Sequence, residues 1–127
     1  MPGLSAYDFG DSIRFGAATA AEDEPDLSKM EMDLHLFEVY VRGFLAGATN
    51  LTDEEVKALP LGAYTITLEQ ATRFLKDHLD GDVYFKVAYP EHNLVRARTQ
   101  IKLVADMEKK LDEMNAIVEK IAAENKK

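Results

Sequence analysis

A single helical pattern fills residues 90–123 of this 127-residue chain, and it limits the folds that the chain can adopt. Apolar side chains recur there every three or four residues, which places them along one side of an α-helix. A helix of this length needs neighbours to cover its apolar side, because isolated helices are marginal in water. The predicted buried positions are Leu94, Ala97, Ile101, Val104, Met107, Leu111, Met114, Val118 and Ile121.

The beginning of the chain is also predicted to be helical. Ser5 or Asp8 is a suitable cap for a first helix that runs to about Ala20. The acidic residues 22–26, which include a proline, are expected to form a solvated loop after it.

A second helix is predicted after a short extended segment at residues 29–32. Asp33 is a good N-cap for this helix. Gly47 and the turn at residues 48–50 are expected to end it. Its apolar side consists of Leu34, Phe37, Val41, Phe44 and Leu45.

Two further helices are predicted from their start and stop signals. Thr52 and Glu55 have the spacing of a capping box, which predicts a short helix. Pro60 ends that helix and suits the first turn of the next one. The predicted buried side of this next helix is Tyr64, Leu68, Ala71, Leu75 and Leu79.

Residues 83–87 are aromatic and β-branched, so they are predicted to form either a short strand or a buried extended linker. Since every long segment reads as helix, the fold class is all-α, with four or five helices and a long C-terminal helix.

Composition narrows the choice of partners. The net charge of −8 disfavours nucleic acid and anionic membranes, because an acidic surface repels both. No apolar run has the length of a membrane span, and no signal peptide is recognised. The chain has no cysteine, which fits a reducing compartment. We therefore expect a cytoplasmic protein with one domain.

The triplet at residues 8–10 matches the magnesium-binding Asp-Phe-Gly motif of protein kinases. That role requires a catalytic loop and a strand lysine before the motif, and neither precedes Asp8 in this sequence. An aspartate at an apolar helix start is more often a hydrogen-bond acceptor that braces the backbone. Asp8 is therefore predicted to be structural.

Five blocks of sequence, in order, resemble one family of kinases. The blocks are residues 10–26, 59–62, 73–75, 81–85 and 92–100, and the resemblance covers about residues 1–107. The chain resembles the aminoglycoside-phosphotransferase-like kinases, and among them most the sugar 1-kinases that phosphorylate N-acetylhexosamines. Its first fifteen residues are similar to the segment that follows the metal-binding acidic motif of that family.

The resemblance implies a fold for this chain and separate roles for the two halves of the parent enzyme. Residues 1–107 would form the C-terminal helical subdomain of a protein-kinase-like fold, and residues 108–127 would extend its last helix into a frayed tail. The parent enzyme would hold ATP and magnesium mainly in the half that precedes this subdomain. No position of this chain matches the metal-binding aspartate or the catalytic base, so no catalytic residue, metal ligand or cofactor site is predicted here.

The same resemblance singles out four residues. Arg73 matches an arginine that contacts the hydroxyls of the sugar, and Phe15 and Tyr84 match positions that line the sugar pocket. Asp8 matches a buried aspartate that braces the catalytic loop. The residues alone leave other readings open: Arg73 could pair with Glu69 and Asp77 one turn away, and both aromatics could belong to the core.

The histidines suggest no site of their own. His92 and Asn93 are expected to begin a helix with an asparagine cap, rather than to form a catalytic pair. His35 and His78 stand singly, without a second ligand at metal-binding spacing.

Three functions remain open at this point. The chain could be the sugar-binding part of a kinase, inactive without the other half. It could be a non-catalytic, acidic helical module that dimerises, since the last helix carries a coiled-coil spacing at Leu111, Met114, Val118 and Ile121. It could also be a remnant that binds an N-acetylhexosamine weakly without phosphorylating it. In each case self-association through exposed helical surface is expected.

Overall fold

The computed structural model describes the backbone of residues 2–47 and 51–125 and the side chains of residues 9–47 and 51–125. Five α-helices account for most of these residues: α1 (Pro2–Gly16), α2 (Leu34–Gly47), α3 (Asp53–Lys57), α4 (Leu59–Leu79) and α5 (His92–Asn125). A short 3-10 helix spans Leu27–Lys29. The described residues contain no strand, only an isolated antiparallel bridge between Ala18 and Met32. The all-α prediction is confirmed.

The long helix α5 is the centre of the packing. Its first part lies against α4, which in turn packs on α1, and α5 also contacts α2 and α3. Phe9 connects α1 to α2, because the centre of its ring lies 6.0 Å from that of Phe37 and 5.1 Å from that of Phe44. Buried apolar side chains from α1, α2, α4 and α5 form one core.

The first helix differs from its prediction at both ends. It already begins at Pro2, so neither Ser5 nor Asp8 is its cap, and it ends at Gly16 instead of near Ala20. The backbone beyond Gly16 pairs with the segment before α2: the Thr19 N–H donates to Glu31 O at 2.9 Å. Pairing with a distant segment therefore overrides the helical propensity of the alanines at 17–21.

The predicted helix starts at Asp33, Thr52 and Pro60 are confirmed. The Asp33 carboxylate accepts the Leu36 N–H at 3.0 Å. Thr52 and Glu55 form the reciprocal capping box, and Pro60 lies in the first turn of α4. The residues predicted to end α2, 48–50, lie outside the described part of the chain.

The buried side of α4 is not the predicted one. Of the five predicted positions only Ala71 is buried, whereas Leu68, Leu75 and Leu79 are 45%, 38% and 76% exposed. The reason is the crossing with α1, where a Cβ atom on Gly10 would lie 2.8 Å from the Gly62 carbonyl oxygen. Such a close approach requires the side of α4 that carries Gly62 and Ile66 to face α1. The buried residues are Leu59, Pro60, Ala63, Ile66, Thr67, Ala71, Phe74 and Asp77.

Helix α5 buries most of its predicted positions, but it exposes 51% of Ile101 and buries Thr99 and Gln100 instead. It runs without a break past residues 107 and 108, so the division into residues 1–107 and 108–127 stays a prediction. Met114, Val118 and Ile121 are at most 1% exposed and belong to the core of the same chain. The predicted coiled-coil seam is therefore covered from within.

Among the described residues, no helix combines the length and the apolar character that crossing a membrane requires.

Candidate functional site

A cleft of about 370 Å³ lies at the C-terminal end of α4, between that helix and the loop that follows it. It brings together Arg73 and Tyr84, two of the three residues for which the resemblance implies contact with the sugar. Helix and loop contribute polar and apolar side chains to the same space. The lining consists of Arg73, Lys76, Asp77, Asp80, Val83, Tyr84 and Phe85.

The chain forms this cleft because it turns back sharply after α4. Gly81 and Asp82 both have left-handed backbone conformations, with φ values of 94° and 63°. Glycine adopts this conformation without strain, and aspartate is among the residues that tolerate it. The Asp82 N–H donates to Asp77 O at 2.7 Å, which closes the turn over the last carbonyls of the helix. Residues 83–87 then form an irregular loop and not the strand predicted as one alternative.

Asp77 holds the loop in place. Its side chain accepts hydrogen bonds from the Tyr84 N–H at 2.8 Å, the Phe85 N–H at 2.9 Å and the Asn93 amide at 2.8 Å. It is only 5% exposed. Burial raises the pKa of Asp77, but the hydrogen bonds from Phe85, Tyr84 and Asn93 together outweigh it and leave this pKa below its ordinary value. Asp77 therefore fixes the backbone that carries Tyr84.

This role of Asp77 was not predicted, because the sequence suggested Asp77 only as a partner of Arg73. One signal could have revealed it. Asp77 lies in the last turn of α4, where a negative charge is unfavourable next to the helix dipole. An acid at such a position needs another source of stabilisation, and here the loop N–H groups supply it.

Arg73 projects into the cleft without a local partner. It is exposed, and within residues 9–47 and 51–125 no ion pair or hydrogen bond ties it to Glu69 or to Asp77. Both carboxylate oxygens of Asp77 are already occupied by loop and asparagine donors. Among the described residues, the predicted alternative of ion pairs one turn away is therefore not formed, and the Arg73 side chain lines the cleft.

Tyr84 stands at the rim of the cleft with 82% of its surface exposed. Its ring contacts Phe85 edge-on at a centroid distance of 4.9 Å, and Phe85 packs on Phe74 of α4 at 4.7 Å. This aromatic series supports the tyrosine from one side. The alternative that Tyr84 belongs to the core is wrong.

The other two predicted site residues lie elsewhere. Phe15 is 59% exposed on α1, is not part of the cleft lining, and carries the Arg14 guanidinium 4.1 Å from its ring centre. It is not a core residue. The side chain of Asp8 lies outside the described residues, so its bracing role stays a prediction.

A second polar cluster ties the acidic loop to α5. Arg14, 4% exposed, contacts Asp11 and Glu22 and donates to Gln100 Oε1 at 3.3 Å. Thr99 donates its hydroxyl to the Glu22 carbonyl oxygen. The loop at residues 22–26 was expected to be solvated throughout, but Glu22 is held against buried side chains of the fold.

The helix start at His92 also differs from its prediction. Asn93 is fully buried and is not a cap; its amide group donates to Asp77 and to Asp82. His92 accepts the Ala88 N–H at Nδ1, so its Nε2 carries the proton and donates to Asp23 at 3.1 Å. Both residues brace the loop between α4 and α5.

No protein-family model matches the chain. Among the side chains at residues 9–47 and 51–125, no group of three or more histidines or carboxylates has the arrangement of a metal site.

Proposed function

We propose that this chain is the sugar-binding helical part of an aminoglycoside-phosphotransferase-like kinase, and that it binds an N-acetylhexosamine in the cleft between α4 and the loop at residues 81–87. One observation carries the proposal. Arg73 and Tyr84 are 11 positions apart in the sequence, were singled out as sugar contacts by resemblance alone, and line one cleft.

The chemistry of the lining suits a polyhydroxylated ring. Arg73 offers several N–H donors in a fixed plane to sugar hydroxyls. Lys76 and Asp80, which form an ion pair at 2.9 Å, add a second donor and an acceptor at the cleft. The exposed face of Tyr84 carries the negative side of an aromatic quadrupole, which attracts the weakly positive C–H groups of a pyranose ring.

ATP and magnesium, which the resemblance implies for the parent enzyme, are not assigned to this chain. Among the described side chains, no group of three or more histidines or carboxylates could hold the metal. The contribution of this chain is to bind and orient the sugar, which helps a phosphoryl transfer through positioning.

Titration calorimetry with N-acetylglucosamine and N-acetylgalactosamine tests the proposal. We expect measurable binding to the wild-type chain and at least a tenfold loss of affinity in Arg73→Ala, because the guanidinium contacts hydroxyls directly. The matched control is Arg98→Ala, which removes an exposed arginine of α5 outside the cleft and should leave binding unchanged. Equal binding heats for the wild-type chain and Arg73→Ala would show that Arg73 does not contact the sugar.

A further inference from the structure

The outer side of α4 carries a stripe of six uncharged side chains, which we call the α4 stripe. Successive members of the stripe are separated by four and three residues in turn, as in the seam between two packed helices. All six are exposed, and the two end leucines are exposed by 57% and 76%. The stripe consists of Leu61, Thr65, Leu68, Thr72, Leu75 and Leu79.

A stripe without charge is unusual on this protein, since 30% of its residues are charged and the net charge is −8. Two copies repel each other where acidic surfaces meet, and this repulsion is weakest where both surfaces are neutral. Thr72 does not oppose burial, because its hydroxyl already has a partner within the helix. It donates this hydroxyl to the Leu68 carbonyl oxygen at 3.0 Å and leaves its methyl group for packing.

The stripe is complementary to itself when two copies run antiparallel. A two-fold axis at position 70 places Leu68 opposite Thr72 of the second copy, and Thr65 opposite Leu75 of that copy. Each threonine thus meets a leucine, so large side chains face small ones, and Leu61 meets Leu79 at both ends. Such a pairing is isologous and closes after two copies.

The flanking charges also fit this arrangement. Glu69 and Arg73 lie on the same side of the stripe, and the two-fold axis brings both residues of the two copies together. The two Glu69 carboxylates then lie near each other, and the two Arg73 guanidinium groups beside them offset their repulsion. Neither residue has an ion pair within the described part of its own chain. Because a guanidinium has five N–H donors, this arrangement leaves donors for a ligand in the cleft.

We propose that two copies of this chain associate through the α4 stripe as an antiparallel, two-fold symmetric dimer. Residues 61–79 extend over about 27 Å of helix. The area that this surface can bury is on the order of 600 Å² per copy, the lower limit of specific interfaces, so dissociation in the micromolar range is expected. The inference is independent of sugar binding and stands if the sugar titration fails.

Sedimentation equilibrium from micromolar to millimolar concentration tests the interface. The wild-type chain should approach twice its mass of 14.2 kDa, whereas Leu68→Glu should stay a monomer because it places two carboxylates beside the two-fold axis. Val39→Glu is the matched control, since it charges a similarly exposed apolar residue of α2. A wild-type monomer throughout, or a Leu68→Glu variant that dimerises like the wild type, overturns the proposal.

The chain has no cysteine, so disulfide cross-linking can determine the direction of the two helices. An equimolar mixture of Leu61→Cys and Leu79→Cys chains should cross-link under mild oxidation, because the antiparallel register places these positions opposite each other. Leu61→Cys alone should not, since the two copies of that residue lie at opposite ends of the stripe. Cross-linking of Leu61→Cys alone at the rate of the mixture, or of neither sample, contradicts the antiparallel dimer.

Discussion

The shape of the cleft depends on individual residues whose partners come from other elements. Asp77 joins α4 to the loop backbone, and Asn93 joins that carboxylate to the start of α5 through hydrogen bonds to Asp77 and Asp82. These contacts, together with the packing of Phe85 on Phe74, fix the position of the loop relative to Arg73. Preorganisation of this kind lowers the entropy that a ligand must remove when it binds.

Replacing Asp77 by asparagine tests this role. The amide has one oxygen and an NH₂ group, so it cannot accept both loop N–H groups and the Asn93 amide. We expect Asp77→Asn to lower the melting temperature and to speed hydrogen exchange at the Tyr84 and Phe85 amides. Asp80→Asn, which removes an exposed carboxylate paired with Lys76, should change neither exchange rate. Unchanged protection of Tyr84 and Phe85 in Asp77→Asn would exclude the proposed role.

The lowered pKa of Asp77 predicts a dependence on pH. Because the folded-state pKa lies below the ordinary value of 3.8, the ionised form stabilises the fold, fully so at pH values above 3.8. This stabilisation is lost as the pH falls through the folded-state pKa. NMR titration of the Asp77 carboxyl group should give a midpoint below 3.8, with parallel shifts of the Tyr84 and Phe85 amides. A midpoint at or above 3.8 would contradict the hydrogen-bond assignment.

The roles of single residues could be predicted from the sequence only in part. Capping rules identified Asp33 and Thr52 because those contacts are local. Arg73 and Tyr84 line one cleft and Phe15 lies outside it, and the sugar contact that the resemblance implies for all three stays a prediction. Buried polar residues whose partners are far away in the sequence were missed. The contact between Arg14 and Gln100 joins positions 86 apart, which no local pattern encodes.

At the scale of elements, the orientation of α4 is set by backbone proximity and not by its leucines. A Cβ atom on Gly10 would lie only 2.7 Å from Ile66 Cγ2 as well as 2.8 Å from the Gly62 oxygen. The helices α1 and α4 therefore touch through their backbones, and the leucines of α4 turn outward. The apolar periodicity of α4 located the helix correctly but gave the wrong buried side, because it contains no information on where another backbone approaches.

Gly10→Ala is expected to separate α1 from α4. Its methyl group cannot be accommodated without moving backbone, so we expect unfolding free energy to fall by about 1–3 kcal/mol in chemical denaturation. Gly43→Ala is the control: apart from its chain neighbours and the backbone of its own helix, no atom of the described residues lies within 4 Å of the point that its methyl group would occupy. Helix propensity then predicts a gain of about 0.5–1 kcal/mol. A Gly10→Ala protein as stable as the wild type would show that the two backbones are not in contact.

At the scale of the molecule, one core extends from the α1–α2 aromatics to the last turns of α5. The sequence predicted this all-α architecture and the long helix because both depend on periodicity over many residues. It did not predict which helical surfaces are covered. The seam expected on α5 is buried in the core, whereas the exposed seam lies on α4.

If this chain binds the sugar and the other half of the parent enzyme holds ATP and magnesium, as proposed, the chain alone should not phosphorylate sugars. No position of the sequence matches the catalytic base or the metal-binding aspartate of the resembling family, so transition-state stabilisation by those groups is absent. A coupled assay with ATP, magnesium and either N-acetylglucosamine or N-acetylgalactosamine should give a rate equal to the blank, with hexokinase and glucose as positive control. Turnover above the blank refutes this prediction.

The most direct test of the central claim, that the cleft beside Arg73 and Tyr84 binds a sugar, is an amide NMR titration of the wild-type chain with N-acetylglucosamine. We predict saturable shifts concentrated at residues 73–85, with glycerol at equal concentration as the control for weak, non-specific effects. Shifts that do not saturate, or that cluster in the apolar groove between α1 and α2 around Phe9 and Phe44, would contradict it.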